Sequence, residues 1–155
     1  MKNNLYQGFS LIELLVVIAM IGFLVAVGVA NYNQARKKAR DSKRMNDLKA
    51  IQTALELYKQ SVQPPVYPAN FAAITPCQQW TGPNNEPLMK SFPADPMGNG
   101  CTYKYFYNRP TTLTYTLAAC MEANKQGPNI TSSPPAGFSS PEGAQCQAYY
   151  VLNEP

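Results

Sequence analysis

The feature that most constrains this chain is a long apolar run near its amino terminus that contains a single charge. From Phe9 to Ala30 the residues are almost all apolar, and Glu13 is the only ionisable side chain among them. A helix of this length spans about 33 Å at roughly 1.5 Å per residue, enough to cross the hydrocarbon core of a bilayer. A carboxylate there costs about 2.5–3.5 kcal/mol on insertion scales. The sequence therefore predicts a second environment, outside lipid, in which Glu13 meets a positive charge.

The residues before the run indicate where that positive charge arises. Residues 1–8 form a short polar segment, and residues 8–13 read Gly8-Phe9-Ser10-Leu11-Ile12-Glu13. This motif resembles the class III signal of type IV pilins and of type II secretion pseudopilins. The resemblance implies that a prepilin peptidase cleaves after Gly8 and N-methylates the new terminal residue, Phe9. It also implies that Glu13 pairs with that terminal amine in an assembled filament.

Two other interpretations of this segment stay open. An ordinary secretory signal would be cut after Ala30, at a small-x-small site, and would release a secreted binding domain. A plain transmembrane anchor is the other, although an anchor has no use for Glu13. The positive-inside rule would place the basic residues that follow the run in the cytoplasm, whereas the pilin resemblance places them on the opposite side. These residues are Arg36, Lys37, Lys38, Arg40, Lys43 and Arg44.

The helical pattern continues beyond the apolar run to about Gln60. Apolar residues recur there at spacings of three and four, and no proline occurs before Pro64. We therefore predict one helix of about 50 residues, with an apolar first half and an amphipathic second half. Type IV pilins have this lollipop shape, so the resemblance implies an α+β fold in which the helix packs on a small antiparallel sheet. The apolar stripe consists of Met45, Leu48, Ile51, Leu55 and Tyr58.

The predicted domain organisation follows from these patterns. Residues 1–8 are a leader, 9–30 a transmembrane and filament-core helix, 31–60 its amphipathic continuation, and 61–155 a globular head. The head begins with a proline-rich αβ-loop, 61–100, in which Asn70–Ile74 has the composition of one helical turn. Short motifs in this loop, at 66–68 and 92–96, resemble those of major pseudopilins and their pilin relatives.

Alternating residues predict an antiparallel sheet over 101–152. The expected strands are Cys101–Asn108, Leu113–Glu122 and Gln145–Leu152, with a hairpin joining the first two and an exposed loop at 127–143. Tyrosines at a spacing of two are more typical of a sheet core than of a ligand-stacking surface. The tyrosines concerned are Tyr103, Tyr105, Tyr107, Tyr115, Tyr149 and Tyr150.

Four cysteines all lie in the head, and an even number in an exported chain indicates two disulfides. Four cysteines allow three pairings. A zinc site is disfavoured because the chain has neither a C-x-x-C pair nor a histidine. Many type IV pilins close their carboxy-terminal loop with a disulfide, so the resemblance implies a Cys120–Cys146 bond. A Cys77–Cys101 bond would then pin the αβ-loop to the first strand.

The head carries no recognisable catalytic set. Histidine is absent and the head carboxylates are scattered singly, so we predict that the chain is not an enzyme and needs no cofactor. The loop from Asp95 to Gly100 has the oxygen-rich composition of a calcium site. Major pseudopilins bind calcium through a carboxy-terminal loop with several aspartates, whereas here that loop offers only Glu142 and Glu154. We therefore expect no metal.

Charge is concentrated on the helix. Residues 1–60 carry nine Lys or Arg and four Asp or Glu, whereas residues 61–155 carry four and five. The basic band Arg36–Lys49 is expected to be a solvated face that also pairs with acidic residues of neighbouring subunits. Repeated along a filament, it would also form a positive stripe able to hold DNA.

The sequence thus predicts a structural subunit of a type IV pilus or a pilus-like filament, with a type II secretion pseudopilin as the alternative. The expected partners are copies of the chain itself, prepilin peptidase, an assembly platform and minor pilins. The chain would cross the cytoplasmic membrane once before assembly and would form an extracellular or periplasmic filament afterwards.

Overall fold

A computed structural model describes residues 8–72, 74–97, 101, 105–123, 127–139 and 146–153. Helix α1, Leu11–Ser61, is followed by six short strands. The chain divides into two compact units, one ending at Arg36 and the other starting at Lys37. The α+β fold with a long amino-terminal helix is therefore confirmed. The strands are β1 Trp80–Thr81, β2 Pro87–Met89, β3 Phe106–Thr111, β4 Thr114–Met121, β5 Ile130–Thr131 and β6 Ala148–Asn153.

The described part of the first unit is helical from Leu11 onward and, apart from Glu13, is apolar on every side as far as Val29. All of its described side chains are exposed. Nothing lies within 4 Å of the position that a Cβ would occupy on Gly22 or Gly28. By length and composition, α1 is the one helix in the described part of the chain that could cross a membrane. A surface this apolar requires either lipid or neighbouring apolar helices as its solvent.

In the second unit, one stripe of α1 enters the core of the head. Leu48, Ile51 and Leu55 are fully buried, and Met45 and Tyr58 pack at the edge of the same cluster. Residues spaced by three and four share one face of a helix, which is why this stripe was readable from the sequence. The predicted apolar stripe is thus confirmed, and its residues form the contact between α1 and the core of the head.

The main sheet has four antiparallel strands in the order β3-β4-β6-β5. Strands β4 and β6 pair in continuous register from Thr116–Asn153 to Met121–Ala148. The face turned to α1 carries the buried side chains Tyr115, Leu117 and Met121 of β4. The sheet therefore closes the core over the helix stripe, as the alternation in the sequence predicted.

The first strand differs from its predicted bounds of Cys101–Asn108. Strand β3 begins at Phe106 and continues through Pro110 to Thr111. Proline is tolerated there because β3 is an edge strand and its register shifts between Asn108 and Thr111. Leu113, predicted to start the next strand, lies in the turn and is exposed. The hairpin turn therefore lies farther along the chain than the predicted turn at 108–112.

The predicted exposed loop at 127–143 also contributes to the sheet, which the sequence analysis missed. Strand β5 pairs with β6, so that Ile130 faces Tyr150. The ring of Phe138 lies 5.4 Å from that of Phe106 and 5.0 Å from that of Tyr149. Ala118 and Cys120, which alternate with the core-facing residues of β4, are also buried because Phe138 and its neighbours cover that face. The Pro/Ser/Gly composition of the loop hid these contacts.

The other predicted bounds fall partly outside the described residues. The third strand is Ala148–Asn153 rather than Gln145–Leu152, and residue 145 is not described. Several other residues named in the sequence analysis are also not described. They are residues 1–7 of the leader, 98–100 of the calcium-like loop, Tyr103, Glu142 and Glu154. Of the described tyrosines, Tyr105, Tyr115 and Tyr150 are buried and Tyr107 packs against the core, whereas Tyr149 is half-buried beside Phe138.

The αβ-loop is more ordered than its prolines suggested. Strands β1 and β2 form a short antiparallel pair, and the ring of Trp80 lies 5.8 Å from Phe92 and 5.9 Å from Phe71. In the segment predicted as one helical turn, residue 73 is not described, and Ile74 N donates to Phe71 O at 3.1 Å. Aromatic side chains thus organise this segment, and its backbone makes a hairpin that no alternation in the sequence announced.

A buried arginine joins three parts of the second unit. The Arg44 side chain is 0% exposed and binds Asp95 with both Nε and Nη2, at 2.7 and 2.9 Å. Its Nη1 donates to Asp41 at 2.9 Å and to Glu122 at 2.8 Å. Since Asp95 lies in the αβ-loop and Glu122 follows β4, Arg44 connects both to α1.

The carboxylates around Arg44 are themselves satisfied. Asp41 accepts the backbone amides of Glu122 and Ala123, each at 2.9 Å. Arg40 donates to Glu122 with Nε at 2.7 Å and also with Nη2. The prediction that Arg44 lies on a solvated face was therefore wrong, because its charge is neutralised inside the head. We call Arg40, Asp41, Arg44, Asp95 and Glu122 the arginine cluster.

Replacing Arg44 with Met should destabilise the head by about 3–5 kcal/mol, because removing one partner leaves buried carboxylates without their counter-charge. The single tryptophan, Trp80, is buried and reports on unfolding of the head by its fluorescence in denaturant. Lys43→Met is the matched control, because Lys43 is the exposed neighbour of Arg44, and a change within about 0.5 kcal/mol is expected there. Equal midpoints for native protein and Arg44→Met would contradict a stabilising role for the cluster.

Candidate functional site

The predicted processing site lies at the exposed amino-terminal end of α1. Gly8, Phe9 and Ser10 precede the helix, and Phe9 is 76% exposed. The first helical hydrogen bond runs from Leu14 N to Ser10 O at 3.2 Å. The backbone on either side of the Gly8–Phe9 bond is therefore outside the helical ladder, which is the state a peptidase requires of a bond that it cleaves.

Glu13 lies in the first turn of α1, and its side chain is exposed. A carboxylate is favoured there by the positive end of the helix dipole, by about 0.3–1 kcal/mol. Ser10 and Glu13 have the spacing of a capping box, in which each side chain accepts from the other's backbone amide. Neither of those hydrogen bonds forms between the described residues, so the Glu13 carboxylate is left available for a partner outside this helix.

The surface around Glu13 is strongly apolar. Leu11 is 82% exposed and Ile12 is 69% exposed. Burying a carboxylate that is surrounded by such side chains has a high free-energy cost. That cost is lowest when the apolar surface that covers these side chains also brings a cation to the carboxylate. The large exposed apolar side chains of this segment are Phe9, Leu11, Ile12, Leu14, Leu15, Val16, Val17, Ile18, Met20, Ile21, Phe23, Leu24, Val25, Val27 and Val29.

Five described carboxylates of the second unit, in contrast, have side-chain partners within it, namely Asp41, Asp47, Glu56, Asp95 and Glu122. The hydrogen bond from Arg40 holds the pKa of Glu122 below its ordinary value. Burial opposes the charge of Arg44, but its carboxylate partners outweigh burial and raise its pKa. Burial raises the pKa of Asp47, which accepts the Tyr105 hydroxyl at 2.7 Å. These groups join α1 to the αβ-loop and to the sheet.

The αβ-loop motifs that resemble pilin relatives also have structural roles. The Tyr67 hydroxyl donates to Glu56 at 2.7 Å and accepts from Lys59 at 3.0 Å, which fastens the loop to the end of α1. Arg109 donates to the Tyr67 carbonyl at 2.7 Å. Phe92 exchanges backbone hydrogen bonds with the segment around Cys77.

The Asp95 loop, considered for calcium, uses its carboxylate elsewhere. Both oxygens bind Arg44, and Oδ1 also accepts the amide of Met97 at 2.9 Å. The described residues contain no group of three or more His, Cys, Asp or Glu side chains arranged to hold a metal ion. Both carboxylate oxygens of Asp95 thus belong to the arginine cluster.

The two disulfides join the cysteines paired in the sequence analysis. Cys77 bonds to Cys101 across 24 residues, and Cys120 bonds to Cys146 across 26 residues. The first attaches the αβ-loop to the approach to β3, and the second attaches the end of β4 to the approach to β6. Both bonds lie in the head.

Sequence reasoning missed the arginine cluster, although one signal for it was present. Asp41 and Arg44 are three residues apart and lie on the same side of α1 as the apolar stripe, where a charged pair must be buried. Their other partners are not readable in this way, since Asp95 is 51 residues from Arg44 and Glu122 is 78 residues from it.

Comparison with known proteins agrees with the amino-terminal motif. Residues 3–29 match the prokaryotic N-terminal methylation motif. The chain is 30% identical to the type II secretion system core protein G of Vibrio cholerae, over 81% of this chain and 89% of that protein. It is 32% identical to the protein of the same name from Escherichia coli K12, over 60% and 68%. Over 34% of this chain it is 40% identical to the type IV major pilin protein PilA of Myxococcus xanthus, covering 24% of that protein. No solved structure gives a significant match.

Peptide mapping without reduction should recover Cys77 linked to Cys101 and Cys120 linked to Cys146. Replacing Cys120 and Cys146 together with Ser should lower the free energy of unfolding by about 3 kcal/mol, since the bond closes a loop of roughly 25 residues in the unfolded chain. Trp80 fluorescence in denaturant measures the loss. Free thiols in the native protein, or a Cys77–Cys146 peptide, would refute this pairing.

Proposed function

This chain belongs to the family of type IV pilins and type II secretion pseudopilins, and we propose that it is a structural subunit of a pilus-like filament, cut after Gly8 and polymerised through its apolar helix. The observation that carries this proposal is the environment of the Glu13 carboxylate. This carboxylate is exposed at the start of an apolar helix and has no hydrogen-bond partner among the described residues. Cleavage after Gly8 would create, four residues away, an amine of opposite charge.

The apolar helix supports polymerisation for a second reason. None of its most apolar 18-residue window is buried within the chain. The monomer would therefore reside in the cytoplasmic membrane, and assembly would exchange lipid for the helices of other subunits. We infer that the terminal amine of an incoming subunit pairs with Glu13 of a neighbour, which would select one axial offset between adjacent helices.

The head supports the proposal because the contacts that hold it together lie within one chain. Its arginine cluster connects the αβ-loop and the end of β4 to the second half of α1. Its two disulfides join the αβ-loop to the approach to β3, and the end of β4 to the approach to β6. Subunits can then be added without refolding the head. We propose prepilin peptidase, an assembly platform and minor pilins as partners, with an extracellular or periplasmic filament as the product. Neither catalysis nor a bound cofactor is part of the proposed function.

A second candidate is a pseudopilin of a type II secretion system. It is supported by the similarity to core protein G of Vibrio cholerae, which extends over 134 residues and so includes most of the head. Deleting the chain in its own cell separates the two candidates. Loss of surface filaments with normal export of proteins supports the pilus subunit, whereas loss of export supports the pseudopilin.

The amino terminus of the mature protein tests the proposed processing. Mass spectrometry of the purified chain should find N-methylated Phe9 as its first residue, since the peptidase is expected to act after Gly8. Gly8→Leu should leave the leader attached, while the neighbouring change Gln7→Ala should be processed normally. A mature chain that begins at Asn31 would instead identify a secreted domain released after Ala30.

Replacing Glu13 with Ala should leave membrane insertion and cleavage largely intact but reduce filament yield sharply. An amine that becomes buried against a neighbour without a counter-charge is expected to cost several kcal/mol per contact. Filament yield is compared at equal amounts of processed protein in the membrane. Glu13→Gln is the matched variant, because it keeps the shape and removes the charge, and it should fail in the same way. Normal yield from either variant would mean that Glu13 pairs only within its own chain.

A further inference from the structure

A ring of exposed cations follows the apolar run directly. Arg36, Lys37 and Lys38 are consecutive and exposed, and residues in a helix are about 100° apart, so their side chains surround the axis. Tyr32 lies one turn earlier and is 61% exposed, and the Arg36 guanidinium lies 5.6 Å from the centre of its ring. We call Tyr32, Arg36, Lys37 and Lys38 the basic collar.

Among the described residues, the basic collar has no acidic partner. No described carboxylate lies within ion-pair distance of Arg36, Lys37 or Lys38. The sequence had led us to expect acidic residues on neighbouring subunits as partners for this band. That expectation stays a prediction, and the described carboxylates offer few partners for it.

A second copy of the chain has few carboxylates to offer. Five of the described carboxylates already bind an arginine or a tyrosine side chain, namely Asp41, Asp47, Glu56, Asp95 and Glu122. Only Glu13 and Glu86 among the described residues stand outside that group, and Glu13 lies inside the apolar run. Glu142 and Glu154 are not among the described residues. The described carboxylates thus leave most of the collar's charge to be balanced by another anion.

The position of the collar identifies the kind of anion. Arg36 is six residues beyond Ala30, which is about 9 Å along a helix. The polar headgroup layer of a bilayer occupies roughly 5–8 Å on each side of the hydrocarbon core, so the collar backbone lies just outside this layer. Long Arg and Lys side chains can reach back from there to the headgroups. A tyrosine at the boundary, with basic residues just beyond it, is the pattern of side chains that sit at a membrane interface.

We propose that the basic collar binds the headgroups of anionic phospholipids in the leaflet that faces away from the cytoplasm. This inference rests on the membrane-inserted stage of the proposed function. Lipid is favoured over nucleic acid because headgroups surround a helix on every side, as the three cations do, whereas a duplex contacts one side. The collar thus holds the monomer at a fixed depth, and assembly must remove it from these lipids.

Electron spin resonance of labelled lipids tests the proposal on the full chain reconstituted in phosphatidylcholine vesicles. The measured quantity is the association of spin-labelled phosphatidylglycerol with the protein, relative to spin-labelled phosphatidylcholine. We expect the native chain to prefer phosphatidylglycerol about threefold, given the usual strength of interfacial Lys and Arg with anionic lipid. Lys37→Gln with Lys38→Gln should bring the ratio close to one.

Lys49→Gln with Lys90→Gln is the matched control, since it removes the same charge at exposed positions beyond the collar and should leave the preference unchanged. Equal association of the two lipids with the native chain would overturn the proposal, as would an unaltered preference in the collar variant. Binding of a labelled DNA duplex that is lost in the collar variant, without lipid preference, would identify nucleic acid as the partner instead.

Carbonate extraction of the same vesicles separates failure of this proposal from failure of the proposed function. A chain that stays with the vesicles but shows no lipid preference refutes the collar alone. A chain that carbonate removes is not anchored, and that result refutes both the membrane stage and the collar.

Discussion

The head depends on one buried charge. Arg44 lies at the junction of α1, the αβ-loop and the end of β4, and it is neutralised there by three carboxylates. A buried guanidinium is tolerated only when its donors are matched by acceptors of fixed geometry, so each partner element is restricted to one position. Apolar packing brings the same elements together, but it is less directional. The arginine cluster therefore determines where the head sits on its own part of the helix.

The parts of the structure that were predictable are those that depend on local sequence patterns. A period of three and four is a local property, so the helix and its stripe at Leu48, Ile51 and Leu55 followed directly from the sequence. The processing motif is also local. The partners of Arg44 are not, since Asp95 and Glu122 belong to distant segments that only the folded head brings together.

The sheet was predictable where alternating residues mark a strand clearly. The prediction was incomplete where another segment covers the outer face of the sheet. Strand β4 reads as alternating, yet Ala118 and Cys120 on its outer face are buried because the segment around Phe138 folds over them. No local pattern in a run of Pro, Ser and Gly reveals that one aromatic side chain will pack on a sheet. The short pairing of β1 with β2 was missed for a similar reason, because strands of two and three residues are too short to show a period.

The two edges of the main sheet have a consequence for a protein that polymerises. Strand β3 carries Pro110 and a shift in register, and the opposite edge, β5, is two residues long. Neither edge offers a long row of free amides and carbonyls on which a strand from another molecule could add. Heads that lie side by side are thereby protected against amyloid-like growth. Self-association is then left to surfaces whose contacts can form and dissociate reversibly.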